Sequence, residues 1–345
     1  MGTIIGSLSL VFAHAPVKDH RRAGSRLLLG ACVPPTEEAR PSASATELPP
    51  EPCRSTEVGS LDHTLINEAS GLEVSSRFPD RAYHINDSGD TARFFLTDLA
   101  GGSIQTVAIE GFEPFDTEDV TLGEFGPNRS CLFIADFGDN ATVRQEVRIV
   151  IIEEQEGFGS SVKPLDIVRF RYSEGPVDAE SIAFHPSGDL VIITKEVDFS
   201  TRSAFPSRVF KLSKSQWQNT GGGVQTATLV GTLDFAALTA DPFSGQIPTA
   251  MDIASDGSRF LVLSYVDAFE FYFDVLGELK PAAEMIPGVD YREIDIELLE
   301  QQEAVAYLPG TDAFLYDTEF VTRRAVAGPP VAGRARVMRV DCTLR

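Results

Sequence analysis

Positive charge is scarce in this 345-residue chain, where 29 Lys and Arg stand against 51 Asp and Glu for a formal net charge of -22. Nucleic acid and anionic membranes reward concentrated positive charge, so neither is an expected partner, and a metal cation is the natural one. Long apolar runs are missing as well; none approaches the roughly 18 residues of a membrane-spanning helix. The four cysteines contain no Cys-x-x-Cys pair, which argues against a thiolate zinc site. No Gly-x-Ser-x-Gly elbow is present to carry a Ser-His-Asp triad, and Gly221-Gly-Gly223 lacks the Gly-Lys-Ser/Thr that completes a phosphate cradle. Histidine is thin: past the N-terminal region only His63, His84 and His185 remain.

What is present begins with an N-terminal region of distinct composition. Arg21-Arg22-Ala-Gly-Ser-Arg26 precedes a short apolar run and Leu29-Gly-Ala-Cys32, and an earlier apolar stretch runs from Ile4 to Ala13. Residues 1–32 are expected to be an export segment of signal or lipoprotein type, with Cys32 as the candidate lipid anchor. Residues 33–57, rich in Pro, Ser and Glu, are expected to be a tether, since such composition buries too little to order itself. Residues 58–345 form the expected folded domain, read as a monomer in the cell envelope or outside the cell. If its termini meet, Cys53 and Cys342 can form a disulfide, which suits an exported protein. Cys131, inside an apolar run, reads as a small buried side chain.

Within the folded part, short runs of β-branched and aromatic residues alternate with Gly, Pro, Asp and Asn, and no long amphipathic helix is evident. One phrase recurs: Glu68-Ala-Ser-Gly-Leu72, Glu118-Asp-Val-Thr-Leu122, Glu180-Ser-Ile-Ala-Phe184, Met251-Asp-Ile-Ala-Ser255 and Glu303-Ala-Val-Ala-Tyr307, at offsets of 50, 62, 71 and 52 residues. Each is followed by a turn and a second apolar strand, and further strands such as Arg208–Leu212 and Ala227–Leu233 can be drawn after it. Four antiparallel strands per unit make a blade, so the expected fold is an all-β propeller. Five blades are preferred, with six, a sandwich or a two-domain β protein as alternatives. A strand at His63–Ile66 is expected to complete the last blade beside Arg336–Val340.

In such a ring the starts of the first strands and the ends of the second strands converge on one face. The residues there are acidic: Glu68, Glu118, Asp119, Glu180 and Glu303 at the starts, with Asp87, Asp90, Asp136, Asp139, Glu196 and Glu319 at the ends. These are the candidate metal ligands. Many hard oxygens on flexible loops suit Ca²⁺ better than Zn²⁺ or Mg²⁺. The bland alternative is that Asp and Asn in these turns bond local backbone amides. His84 as a general acid or base, and Lys195 as a charge partner, are the candidate catalytic residues.

The phrases Asp116-Thr-Glu-Asp-Val120, Ile134-Ala-Asp-Phe-Gly-Asp-Asn140, Asp178-Ala-Glu-Ser-Ile182, Ile193-Thr-Lys-Glu196, Asp267-Ala-Phe-Glu-Phe271 and Gln302-Glu-Ala-Val305 resemble those of secreted bacterial β-propellers similar to the phytase-like (esterase-like activity of phytase) and SdiA-regulated proteins. The resemblance spans about Glu68 to Glu319. It implies a calcium-dependent phosphomonoesterase chemistry, with Glu118, Asp119, Asp136, Asp139, Glu180 and Glu303 as metal-site candidates. Two functions are therefore expected in competition: a calcium-binding module for a small molecule or surface ligand, and a metal-dependent hydrolase of phosphoesters or related esters.

Overall fold

The apolar stretches set the strands, and their patterning tells how deep each one lies. Ser130–Asp136 reads Ser-Cys-Leu-Phe-Ile-Ala-Asp and is buried from Cys131 onward; a strand covered on both faces needs no alternation. Asp166–Tyr172 instead buries Val168, Phe170 and Tyr172 and exposes Arg169 and Arg171, the period of two that marks one wet face.

The computed structural model describes residues 53–218, 221–319, 322–323, 331–332 and 334–342. The expected export segment, the Cys32 anchor and most of the tether lie outside the described residues. Strand β1 (Arg54–Ser60) comes first. A unit follows of β2 (Ala69–Val74), β3 (Ala82–Asn86), β4 (Arg93–Thr97) and β5 (Gln105–Ile109), each antiparallel to the one before. The second unit is β6 (Thr117–Glu124), β7 (Ser130–Asp136) and β8 (Val147–Glu153); the short β9 (Ser161–Val162) then runs beside β5, and β10 (Asp166–Tyr172) completes the unit. In the third, β11 (Ala179–Phe184) and β12 (Leu190–Thr194) precede a small hairpin, β13 (Val197–Asp198) and β14 (Ser203–Ala204), and then β15 (Ser207–Leu212) and β16 (Gln225–Leu233). The fourth is β17 (Pro248–Ile253), β18 (Phe260–Ser264), β19 (Ala268–Phe271) and β20 (Tyr291–Ile294). The last begins with β21 (Gln302–Tyr307) and β22 (Phe314–Thr318); after the hairpin of β23 (Thr322–Arg323) and β24 (Val331–Ala332), β25 (Arg336–Asp341) pairs with β22 and with β1.

The first strands close a circuit: β2 packs on β6, β6 on β11, β11 on β17, β17 on β21 and β21 on β2. This is a β-propeller. Parallel pairing of β10 with β16 joins the second and third units into one eight-stranded sheet, whose end strands β6 and β11 also touch, so that sheet is nearly closed on itself.

The chain closes differently from expectation. The strand beside β25 is β1, while His63–Ile66 is a turn in which Ile66 N–H donates to Asp62 O at 2.8 Å. Strand β1 also begins at Arg54, inside the stretch read as tether. The turn chemistry at Asp62 explains the difference, because its carboxylate caps the Thr64 N–H and hydroxyl and favours a bend over extension. Beside β1 and β25, Cys53 and Cys342 form a disulfide that fastens the two ends of the ring. Cys131 is free and buried.

The core lies between neighbouring units. Between the second and third, Phe133, Phe170, Ile192 and Phe210 pack with Trp217 of α1 (Lys214–Gln218). The Trp217 ring meets Phe133 edge-on at 5.1 Å and its Nε1–H donates to Gly188 O at 2.9 Å, so a buried polar handle is satisfied.

A candidate cation site where the first strands begin

Every first strand carries one irregularity in the same place. Register against the second strand slips between Ala69 and Gly71, Thr117 and Asp119, Ala179 and Ser181, Pro248 and Ala250, and Gln302 and Ala304. The bulged residues are thus Ser70, Glu118, Glu180, Thr249 and Glu303. A bulge re-aims its side chain, and here it turns three glutamates toward one another. Aligning Glu68 and Met251 with Glu118, as the sequence phrases suggest, is therefore out of step by two residues.

Beyond the bulge the same strands are laced together. Three residues on, Glu73, Thr121 and Asp252 accept from the N–H groups of Leu122, Phe184 and Tyr307 in the next unit at 3.0, 3.2 and 2.7 Å. Asp119 belongs to this lacing: it accepts from Ile182 N–H at 2.9 Å and Val120 N–H at 2.7 Å. Its carboxylate is a brace between units, which explains its burial without a cation.

Asp87, just past β3, is the hub of the acidic end. Its charge acts on Glu68, Asp116, Glu118, Asp178, Glu180, Glu303 and Glu319. One oxygen each from Asp87, Asp116 and Glu118 lies within 4.8 Å of the others. Two oxygens on a single Ca²⁺ are at most about 5 Å apart, twice a Ca–O bond, so the three carboxylates can share one ion. Glu118 is 3% exposed and Asp116 8%, yet neither carboxylate takes a hydrogen bond or ion pair among the described residues. Burial, then Asp87 and Glu180, hold the Glu118 carboxyl well above its usual range. Burial and Asp87 push Asp116 up to about 7.

Gly138 forms the back wall. A Cβ placed on it would stand 1.9 Å from Glu118 Oε1 and 2.8 Å from Asp116 Oδ2, so only glycine lets the backbone approach both carboxylates. On the far side, Lys195 Nζ lies 2.5 Å from Glu180 Oε1 and 6.0 Å from the centre of the Tyr265 ring. Burial pulls the Lys195 pKa down, but Glu180, Tyr265, Asp178 and Glu303 outweigh it and hold the ammonium charged. Burial pushes Glu180 up to about 8 against the pull of Lys195. Burial, then the Glu319 charge, hold the Glu303 carboxyl well above its usual range, and Glu319 accepts from Gln301 Nε2 at 2.8 Å.

Several sequence candidates are committed elsewhere. Asp90 accepts from Arg93 Nε and Asn86 Nδ2, each nearest at 2.8 and 2.9 Å. Asp136 is fully buried between Arg144 and Arg148. Asp139 accepts from the Arg144 N–H at 2.6 Å, and Glu196 binds Arg208 Nε at 2.6 Å and the Thr194 hydroxyl at 2.7 Å. Glu68 is half-buried beside Asp87. His84 lies within β3, 1% exposed, with Nε2 3.0 Å from Thr97 Oγ1 and Nδ1 3.2 Å from the buried Asp317 Oδ2. That enclosure argues against a role as general base at the acidic end.

The residues absent from the expected ligand set are Asp116, Gly138 and Tyr265. Asp116 had a signal: it stands two residues before Glu118, as Asp178 does before Glu180, and a spacing of two returns a strand residue to the same face. Gly138 had none, since a glycine in an Asp-Phe-Gly-Asp turn needs no further explanation.

No family model matches the chain, and no curated protein matches it, so the resemblance to phytase-like and SdiA-regulated propellers has no family-level support. Solved structures similar to it include a luciferin-regenerating enzyme, at 10% identity and TM-score 0.46, with 84% of this chain and 95% of that one covered. A proposed gluconolactonase matches at 10% identity and TM-score 0.44, covering 86% and 94%. U3-55K matches at 12% identity and TM-score 0.38, covering 79% and 67%.

Proposed function

We propose that this chain is a five-bladed propeller that binds a divalent cation, Ca²⁺ by preference, through Asp87, Asp116 and Glu118, and uses the loaded site as a binding module. The circuit of five first strands supports the blade number. One observation carries the cation: Glu118 is 3% exposed, its carboxylate has no hydrogen-bond or ion-pair partner among the described residues, and one of its oxygens lies within 4.8 Å of one oxygen each from Asp87 and Asp116. Ionising a carboxyl in such a place costs several kcal/mol, so it keeps its proton, and a cation is what makes its ionised form favourable. All-oxygen donors favour Ca²⁺ over softer metals. Three protein ligands also leave coordination positions for water or for oxygens of a small molecule. The Cys53–Cys342 disulfide supports an exported, oxidising setting.

A second reading, a metal-dependent hydrolase of phosphoesters or related esters, is favoured by Lys195. Its ammonium spends one of three donors on Glu180 among the described residues, so it can also neutralise charge developing beside a bound cation.

The test uses the purified chain stripped with chelator. Calorimetric titration with Ca²⁺ and Mg²⁺, thermal unfolding with and without metal, and phosphomonoester and carboxylester assays are run on wild type and Glu118→Gln. Ca²⁺ binding that vanishes in the variant, without turnover, supports the binding module; chelator-sensitive turnover lost in the variant supports the hydrolase. Equal metal response in both proteins sinks the site.

A further inference from the structure

Asp136 and Arg144 have a different task from the one their acidic neighbourhood suggests. Asp136 Oδ1 accepts from the N–H groups of Phe115 and Asp116, at 3.2 and 2.9 Å, and meets Arg144 Nη2 at 3.3 Å, while Oδ2 is bound by Arg148. Both oxygens are spent, so this carboxylate has nothing left for a metal. Arg144 completes the arrangement: Nη1 donates to Gly138 O at 2.7 Å, Nη2 donates to Asp136 O at 3.1 Å, and its own N–H donates to Asp139 Oδ2 at 2.6 Å. The Gly138 N–H in turn donates to Asp116 O at 3.1 Å. The loop after β7 is thereby drawn against the start of β6, and the atoms fixed are those that face the cation ligands.

Resting on the cation-site reading above, we infer that Arg144, held by Asp136 and capped by Phe115, is a positioning residue for that site, setting the Gly138 backbone and the Asp116 carboxylate in place for the ion. The guanidinium suits this role because its planar fork reaches a carbonyl on one arm and a carboxylate on the other. It is not itself a ligand. Phe115 then has an explanation that its neighbours do not provide. It is 65% exposed, unusual for a phenylalanine, and its ring lies over the Arg144 guanidinium at 4.6 Å. A ring on that face shields the pair from water and keeps the fork from swinging outward. The Arg144 side chain is 11% exposed, which agrees with a clamp closed from outside. Such placement matters because groups behind the ligands orient them, and losing one typically costs about 10- to 100-fold in metal affinity.

The experiment measures Ca²⁺ affinity by calorimetry on the full chain, alongside the unfolding temperature of the metal-free protein. Arg144→Gln is expected to weaken binding about 10- to 100-fold in a protein that still folds, with a lowered metal-free unfolding temperature because only Arg148 then pairs with Asp136. Arg144→Lys should recover little, since one ammonium cannot span both acceptors. Phe115→Ala should weaken binding about two- to fivefold. Wild-type affinity in Arg144→Gln overturns the inference, as does full recovery in Arg144→Lys. A loss that only mirrors a drop in metal-free stability overturns it too. Should Arg144→Gln fail to fold, Phe115→Ala decides, because it leaves the ion pair intact: unchanged affinity there rejects the clamp. Absence of Ca²⁺ binding by wild type, or unaltered binding in Glu118→Gln, instead rejects the cation site, and the clamp with it.

Discussion

Lys195 Nζ lies 2.5 Å from Glu180 Oε1, and the two side chains retain only 9% and 5% of their surface. The pair joins the end of β12 to the bulge of β11 and places a fixed positive charge among carboxylates from other units. Removing one partner strands the other in a dry site, a loss that usually exceeds what the pair contributes. Lys195→Met is expected to destabilise the protein by about 3–5 kcal/mol at pH 8.5, because Glu180 loses the charge that lowers its pKa and must stay unpaired or take up a proton. Adding Glu180→Gln should return much of that. Urea unfolding of the single and double variants checks both; a single variant as stable as wild type would show the pair to be dispensable.

A second prediction concerns pH, away from the cation ligands. Burial pushes the Asp252 carboxyl from 3.8 up to about 7, although the N–H groups of Tyr307 and Ile253 pull it down. Glu73 is raised further by burial and by Asp252 itself. A carboxyl whose folded pKa is raised holds its proton more firmly when folded. Its contribution is fully present below the unfolded pKa and is lost as pH rises toward and through the folded value. Stability of the metal-free chain should therefore fall between about pH 4 and pH 7, and Asp252→Asn should flatten that slope by the share of one proton. Urea midpoints at half-unit pH intervals measure it. Parallel slopes in wild type and variant would remove Asp252 as the cause.

The fold was readable in the sequence because the second strands are rich in apolar residues: the runs Leu190–Thr194 and Phe260–Ser264 are β12 and β18. The closing strand was not, because Arg54–Ser60 reads Arg-Ser-Thr-Glu-Val-Gly-Ser, a polar edge whose pairing comes from β25 and the disulfide. Within the site, residue type was readable and engagement was not. Asp136 and Glu118 look alike in sequence, both acidic and both at a strand end. They differ because two arginines reach one and none reaches the other among the described residues. The register of the repeat was hidden for a related reason: a bulge adds a residue without changing composition, so Ser70 and Thr249 gave no sign of sharing the place of Glu118.

Gly138 gives a prediction that separates space from charge. A single methyl at this position would occupy the place of Glu118 Oε1, 1.9 Å away, and press on Asp116 as well. The backbone is anchored by Arg144 on one side and Asp116 O on the other, so it has little freedom to retreat. Gly138→Ala should cost about 1–3 kcal/mol through overpacking and lower Ca²⁺ affinity at least tenfold. Thermal unfolding and calorimetry read the two effects. Intact affinity in a folded Gly138→Ala protein would mean that Glu118 does not need its present position to bind.

The ring closure supplies the last prediction. Cys53 and Cys342 are 289 residues apart in sequence and covalently join the strands β1 and β25 of the closing unit. Without the bond, β1 is held mainly by its ladder to β25, since none of its seven residues is buried. The bond restricts the unfolded chain over nearly the whole folded length, and a native disulfide of this kind contributes roughly 2–5 kcal/mol. Reduction, or the Cys53→Ser/Cys342→Ser double change, should lower the unfolding temperature by roughly 5–15 °C and speed amide exchange first in β1. Cys131→Ser is the control, because that thiol is buried and unpaired and should leave the response to reductant unchanged. If reduced and oxidised chains unfold at one temperature with equal protection of β1, the ladder alone closes the propeller and the covalent bond is incidental to it.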